Sequence, residues 1–167
     1  ILLANSKTVV GIFALADAIK ENSIQAIKDL HDLGIQTVMI SGDHEQTANY
    51  IAWLVWIDAV YAEVLPQDKA KIIQELQNKG KVVAMCGDGV NDAPALARAN
   101  VGVAMWTGTD VAIETADITL LAGDLGKLVK AIKLSKATMR TIKQNLGRAF
   151  GYNIIWIPLA AGLFYPL

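Results

Sequence analysis

Two carboxylates stand four residues apart in MCGDGVNDAPALA, residues 85–97: Asp88 and Asp92, with Gly87 and Gly89 flanking the first. Closely spaced hard oxygen donors are what a magnesium ion requires, and glycines on either side leave a carboxylate open to approach. A purely structural account explains part of the motif, as a tight strand-to-helix turn with Asp92 at a helix N-terminus and Pro94 pre-set for the first turn. It leaves Asp88 unexplained, so a magnesium or phosphate site is the stronger reading. Two further stretches belong with it. MISGDHEQTA supplies Ser41, Gly42 and Asp43 after an apolar run ending at Ile40, and LPQDKAKI supplies Lys69 at the start of a helical pattern. A hydroxyl, a lysine and paired carboxylates at neighbouring strand ends are the parts that phosphoryl transfer uses. Taken singly, Ser41 and Asp43 also read as helix caps and Lys69 as a solvated lysine.

The elements that must position these groups alternate along the first 123 residues. Candidate strands are Thr8–Leu15, Gln36–Ile40, Ala59–Tyr61, Lys81–Cys86, Val101–Ala104 and Ile118–Leu120. Helical patterns fill the intervals at Ser23–Leu33, Glu45–Leu54, Gln67–Asn78, Asp92–Ala99 and Asp110–Thr115. The alternation argues for an α/β fold with a mostly parallel sheet and helices on both faces, ligands binding beyond the carboxyl ends of the strands. No internal repeat or low-complexity linker interrupts it.

The 167 residues suit about one domain with a real core. Their formal charge of −1 hides an asymmetry. All 16 acidic residues precede residue 127, against eight Lys and Arg there, whereas residues 127–167 hold seven basic residues and no acid. This basic stretch contains a helical pattern from Gly123–Asp124, with Leu125, Leu128, Val129, Ile132 and Leu134 as its apolar stripe. It then leads into YNIIWIPLAAGLFYPL. With Arg148 snorkelling, residues 146–167 are long enough to predict a transmembrane helix, and the positive-inside tendency predicts residues 1–140 on the cytoplasmic side. Cys86 is the sole cysteine, which excludes an internal disulfide and a cysteine metal cage and reads as a small core residue.

The three site segments, in this order, resemble the haloacid-dehalogenase superfamily. Their wording resembles its P-type ATPase branch: GDGVNDAPALARANVGVAMWTGTDVAIETADITLL is similar to the hinge of the phosphorylation domain, and VMISGDH to its Thr-Gly-Asp loop, with Ser41 in place of threonine. ALADAIK, containing Asp17, resembles the segment that re-enters this domain after the nucleotide-binding insertion, although Ala18 stands where proline is usual. TIKQNLGRAFGYNIIWIPLAAGLFYP resembles the stalk and seventh membrane helix of heavy-metal pumps, and Tyr152 with Asn153 matches the Tyr-Asn pair of the copper(I) subgroup. The alternatives are a zinc- or cadmium-type pump, a soluble haloacid-dehalogenase-like phosphatase, and a non-catalytic regulatory piece.

The resemblance implies a haloacid-dehalogenase-like Rossmannoid fold and a role for each site residue. Asp88 would bind magnesium, with Asp92 beside it. Asn91 and Asp92 would hold the loop, Ser41 and Lys69 would contact an aspartyl phosphate, and Asp43 would organise the magnesium and nucleotide side. Gly42, Gly87 and Gly89 would line the cofactor site, and Tyr152 and Asn153 would contribute to the site of transported Cu+. ATP and Mg2+ are the implied cofactors. The implied partners are the remainder of the same ATPase with its nucleotide-binding domain and other membrane helices, the lipid bilayer, and a copper chaperone, but no nucleic acid.

The implied divisions are 1–16 as the end of the nucleotide-binding insertion and return strand, 17–123 as phosphorylation domain, 124–145 as stalk and 146–167 as membrane helix. Neither an Asp-Lys-Thr-Gly-Thr nor a Cys-Pro-Cys string occurs, so the chain reads as a C-terminal fragment, inactive alone, of a membrane protein. The strand next to the absent aspartate motif is central in that family, so a gap in the sheet is expected. Trp56 and Trp106 stand near positions where the family has glycine, and Trp106→Gly is expected to stabilise. Gly147 and Arg148 replace a bulky aromatic pair.

Overall fold

The computed structural model describes residues 2–5, 8–12, 19–87, 90–106, 115–121, 123–162 and 165. Asp17, Ala18, Asp88, Gly89 and most of the expected helix Asp110–Thr115 lie outside them.

A short antiparallel hairpin, β1 (Leu2–Ala4) and β2 (Val9–Ile12), opens the chain, with Leu3 opposite Gly11. After it, α1 (Ser23–Asp32) buries Ala26, Ile27 and Leu30 on one face and stops at Gly34, whose φ of +74° lies in the left-handed region open to glycine. The parallel pair β3 (Val38–Ile40) and β4 (Ala59–Tyr61) brackets α2 (Glu45–Val55). Next come α3 (Pro66–Asn78), with proline in its first turn, β5 (Ala84–Gly87), a 3-10 turn at Val90–Asp92, and α4 (Ala93–Arg98). Strands β5, β6 (Val101–Trp106) and β7 (Ile118–Leu121) form a second parallel sheet in that order. The parallel strands and intervening helices are the expected α/β architecture.

Among the described residues no backbone ladder joins β3 to β5, the break in the sheet that the resemblance implied. Side chains meet near that break: Ile40, ending β3, packs on the cluster of Ile73, Met85, Ala95 and Leu96, to which β5 contributes Met85. Helix α4 lies close on β6 because Gly102 lacks a side chain. A Cβ there would sit 2.8 Å from the Leu96 carbonyl oxygen.

Helix α5 (Leu125–Ala160) runs for 36 residues. Asp124 caps it, its side chain accepting from the Gly126 N–H at 2.8 Å. Leu128 packs with Val103 and Leu120, and Val129 with Ala26, Ile27 and Leu30. The Lys133 ammonium reaches Asp29 at 3.1 Å, and Lys136 Nζ donates to the Leu33 carbonyl at 3.3 Å. Beyond these contacts its large apolar side chains are exposed.

Two expectations are corrected. No helix among the described residues is long and apolar enough to cross a membrane. The helix passes unbroken through residue 146, and from Ala149 it holds roughly 12 uncharged residues, a rise of ~18 Å against the ~30 Å of a hydrocarbon core. It ends at Ala160, with Gly162 at φ +85°. The second correction concerns the tryptophans. Trp106 is the last residue of β6, paired with Leu121 in an extended ladder where glycine weakens a strand. The left-handed conformation belongs to Trp56, which terminates α2 at φ 65°, ψ 43°.

Candidate active site

The grouped residues sit at the carboxyl ends of β3 and β5 and the N-terminus of α3. Lys69, in the first turn of α3, and Asp92, closing the 3-10 turn after β5, form an ion pair with Nζ 2.7 Å from Oδ1. Both side chains are largely buried, at 17% and 12% exposure. Asp92 occupies the N-cap position of α4, but its side chain makes no capping hydrogen bond. Its carboxylate turns to the ammonium instead, because a charge-assisted bond is roughly twice as strong as a neutral one. Gly87 makes this possible. A Cβ at Gly87 would lie 2.7 Å from both Cβ and Oδ2 of Asp92, so any side chain would push the carboxylate out.

The β3 end is built differently. Ser41 continues the parallel ladder by donating its N–H to the Tyr61 carbonyl at 2.9 Å. Its hydroxyl donates to Asp43 Oδ2 at 2.7 Å and accepts from the Asp43 N–H at 3.1 Å. Neither residue caps α2, whose N-cap position is His44. The loop after β4 closes over them: Glu63 N–H donates to the Asp43 carbonyl at 2.9 Å and Val64 N–H to the Ser41 carbonyl at 3.0 Å. Glu63 adopts φ 54° and places Oε1 3.1 Å from His44 Nδ1. Gly42 has room to spare, since a Cβ there would meet the Val64 carbonyl oxygen at an ordinary 3.5 Å.

Lys69 therefore meets Asp92, and Ser41 meets Asp43. Among the described residues no hydrogen bond links the two pairs. Asn91 is exposed in the 3-10 turn, whereas Asp88 and Gly89 are outside the described residues. Tyr152 and Asn153 are far along α5, both exposed, with the Tyr152 ring 5.7 Å from that of Trp156. The sequence reading missed Glu63, whose left-handed φ and two-sided bonding leave no mark in a local pattern. It also missed Asp58, whose Oδ2 takes the Thr37 N–H at 2.6 Å, the Thr37 hydroxyl at 3.0 Å and His31 Nε2 at 3.0 Å, fixing the start of β3. These bonds, the Thr37 amide foremost, hold the Asp58 carboxyl below its ordinary range. Burial pushes the Cys86 thiol up to about 11, so beside the site it is a packing group and not a nucleophile.

The donor set fits a hard cation in kind. Asp92 offers carboxylate oxygens, one already engaged by Lys69, but no cluster of three metal-binding side chains occurs among the described residues. A lysine with a carboxylate after β5, and a hydroxyl with a carboxylate after β3, are groups that suit the handling of a phosphoryl group.

A family model described as haloacid dehalogenase-like hydrolase matches residues 2–100. The chain belongs to that family. Within this haloacid dehalogenase-like group, it is 56% identical over 166 residues to a copper-exporting P-type ATPase of Staphylococcus aureus strain JH9, covering 99% of this chain and 21% of the relative. The chain thus spans about a fifth of the length of such relatives. A solved zinc-transporting PIB-type ATPase in the E2.Pi state superposes with a TM-score of 0.84 at 38% identity, covering 96% of this chain and 26% of the other. The catalytic CPx-ATPase domain CopB-B superposes with a TM-score of 0.65 at 36% identity, over 77% of this chain and 51% of that one.

Proposed function

We propose that the chain is the phosphorylation-domain part of an ATP-driven copper(I) export pump that works through an aspartyl phosphate, the acceptor aspartate lying on a segment outside these residues. The observation that carries the reading is the 56% identity, over 99% of the chain, to a protein named as a copper exporter. The zinc-transporting match, at 38% identity, supports a zinc-type pump as the second reading.

The chain's own groups have definite tasks in this scheme. The Lys69 ammonium, held by Asp92, offers its remaining protons to a phosphoryl oxygen and offsets charge that builds there. The Ser41 hydroxyl would turn its single proton from Asp43 Oδ2 to a phosphoryl oxygen while still accepting from the Asp43 N–H. Both act by positioning and electrostatics, which is most of what phosphoryl transfer asks of a protein. Asn91 would steady the turn that carries Asp92, Gly42 and Gly89 would line the phosphate and nucleotide side, and Gly87 leaves the space that Asp92 fills. Asp88, with Asp92, would hold magnesium, which when bound neutralises phosphoryl charge. Tyr152 and Asn153 would offer oxygen donors to the copper path of the assembled pump. ATP would bind on the nucleotide-binding domain of the same protein, a copper chaperone would deliver the ion, and the whole would reside in a membrane with the Lys69–Asp92 site on the cytoplasmic side.

The deciding experiment is ATP hydrolysis by the full-length parent in membranes, comparing copper(I) with zinc. Stimulation by copper(I) alone, abolished by Asp88→Ala and reduced by Asn153→Ala, is expected. Stimulation by zinc alone would move the assignment to the second reading. Hydrolysis under neither metal would reject an active pump.

A further inference from the structure

The carboxyl-terminal two thirds of α5 form a surface that the phosphoryl site does not use. No acidic residue follows Asp124, yet Lys136, Arg140, Lys143 and Arg148 do. Lys136, Met139, Arg140, Lys143 and Gln144 line a shallow depression of about 560 Å³, away from the candidate active site. Lys136 spends one hydrogen bond on the Leu33 carbonyl, while Arg140 and Lys143 have no ion-pair partner among the described residues. Three cations line one hollow with no acidic residue in its lining, and Arg140 and Lys143 lie one and two turns beyond Lys136, which is the one close to Asp32 through Leu33, so the hollow suits an anion.

The rest of the same helix face narrows the anion. At 3.6 residues per turn, Lys136, Arg140, Lys143, Gly147, Phe150 and Ile154 fall within an arc of about 100°. Gly147 meets nothing within 4 Å of a would-be Cβ, and Phe150 and Ile154 are exposed at 59% and 71%. The face is therefore cationic for two turns, then bare, then apolar. From Lys143 to Ala149 the rise is ~9 Å, comparable with the depth of one headgroup layer. Inorganic phosphate or a nucleotide would use the cations and leave the apolar strip wet. A phospholipid uses both.

We infer that α5 carries a site for an anionic phospholipid, its headgroup on Lys136, Arg140 and Lys143 and its acyl chain along Gly147, Phe150 and Ile154. The inference deepens the proposed function only in supposing a bilayer beside this helix. Bound there, the lipid fixes the height of α5 against the membrane surface without requiring that this helix cross it.

Co-flotation of the 167-residue chain with vesicles of phosphatidylcholine alone, or of phosphatidylcholine mixed with phosphatidylglycerol, tests it. With about a fivefold gain for each cation near an anionic surface, two to three cations predict roughly 30- to 150-fold tighter binding to the mixed vesicles. The double variant Arg140→Gln/Lys143→Gln touches exposed groups only. It should lose most of that preference, keep its binding to neutral vesicles and keep its circular dichroism spectrum. Lys79→Gln/Lys130→Gln removes equal charge elsewhere and should retain the preference. Equal binding to both vesicles, retention in the first variant, or equal loss in the second would overturn the site. Competition by inorganic phosphate at concentrations that match the lipid would make it a free-anion site instead. Copper-stimulated hydrolysis is read separately, so failure here leaves the proposed function standing.

Discussion

The two ends of the candidate active site contrast in how they are held. On the β5 side, Lys69 and Asp92 are largely buried, directly paired, and dependent on the missing side chain of Gly87. On the β3 side, the half-buried Ser41 and the exposed Asp43 are held by short hydrogen bonds within one loop, which is closed by the strained Glu63. The first is set by the packing of α3 on α4 and the 3-10 turn, whereas the second is set by local backbone. A buried charge pair of this kind adds little net stability when intact, yet leaves an uncompensated charge when one partner is lost. A half-buried hydroxyl can be lost with little effect on folding. The β5 side should therefore report on stability and the β3 side mainly on chemistry.

The largest effect should come from breaking the buried pair. Asp92→Ala is expected to lower the unfolding free energy by about 3 kcal/mol in a urea titration, and Asp92→Ala/Lys69→Met should recover part of the loss. A single variant as stable as the parent would remove the distinction between the two sides. Gly87→Ala should destabilise by about 2 kcal/mol through overpacking against Asp92, and Gly42→Ala by much less, because only the first position is crowded. Outside both sides, at the far end of α2, Trp56→Gly should stabilise by about 1 kcal/mol, seen as a melting midpoint a few degrees higher, since glycine accepts the left-handed backbone freely. A lowered midpoint would mean that the exposed indole contributes more than its conformation takes away.

Ser41→Ala should change stability by only about 0.5 kcal/mol, while reducing phosphoenzyme turnover in the full-length parent far more. The smallest effect is expected from acid. Asp58 is depressed in the folded state, so its contribution is fully present above the ordinary carboxyl pKa and fades as pH falls through the lower folded value. Asp58→Asn should therefore lower stability slightly at neutral pH, where the carboxylate's contribution is present, and flatten the acid limb below about pH 4, where the variant and the parent converge. Because Asp58 is 43% exposed, solvent screens much of its benefit.

Much of this arrangement was legible in local signals. The run ending at Ile40, the proline opening α3 and the Asp124 cap fall where periodicity and turn residues put them, and β5 ends one residue past the expected Cys86. The strand-end rule put Ser41 after β3 and Asp92 after β5, as the structure has them; there Lys69 pairs with Asp92 and Ser41 with Asp43. The pairing of Lys69 with Asp92, 23 positions apart, was not legible, because it depends on how α3 packs against α4. β2 falls within the expected strand Thr8–Leu15, but its partner β1 escaped for another reason: it is only three residues long, too short to show alternation. A transmembrane boundary at residue 146 was over-read. Composition reports apolarity, but the length of an uninterrupted helix decides whether it can cross, and Gly147 is too weak a breaker to end one. The glycine-site argument failed for Trp106 and held for Trp56, since only backbone φ separates a strand end from a left-handed cap.

The unbroken course of α5 also has a mechanical meaning. Its last tie to α1 is at Lys136, and the helix then continues to Ala160, a free arm of ~36 Å. A tilt of about 5° at the α1 clamp carries the tip sideways by ~3 Å over that length. Small readjustments around Asp29 and Leu33 thus become displacements the size of an ion at the far end. The single rod is a lever arm whose fulcrum is its contact with α1.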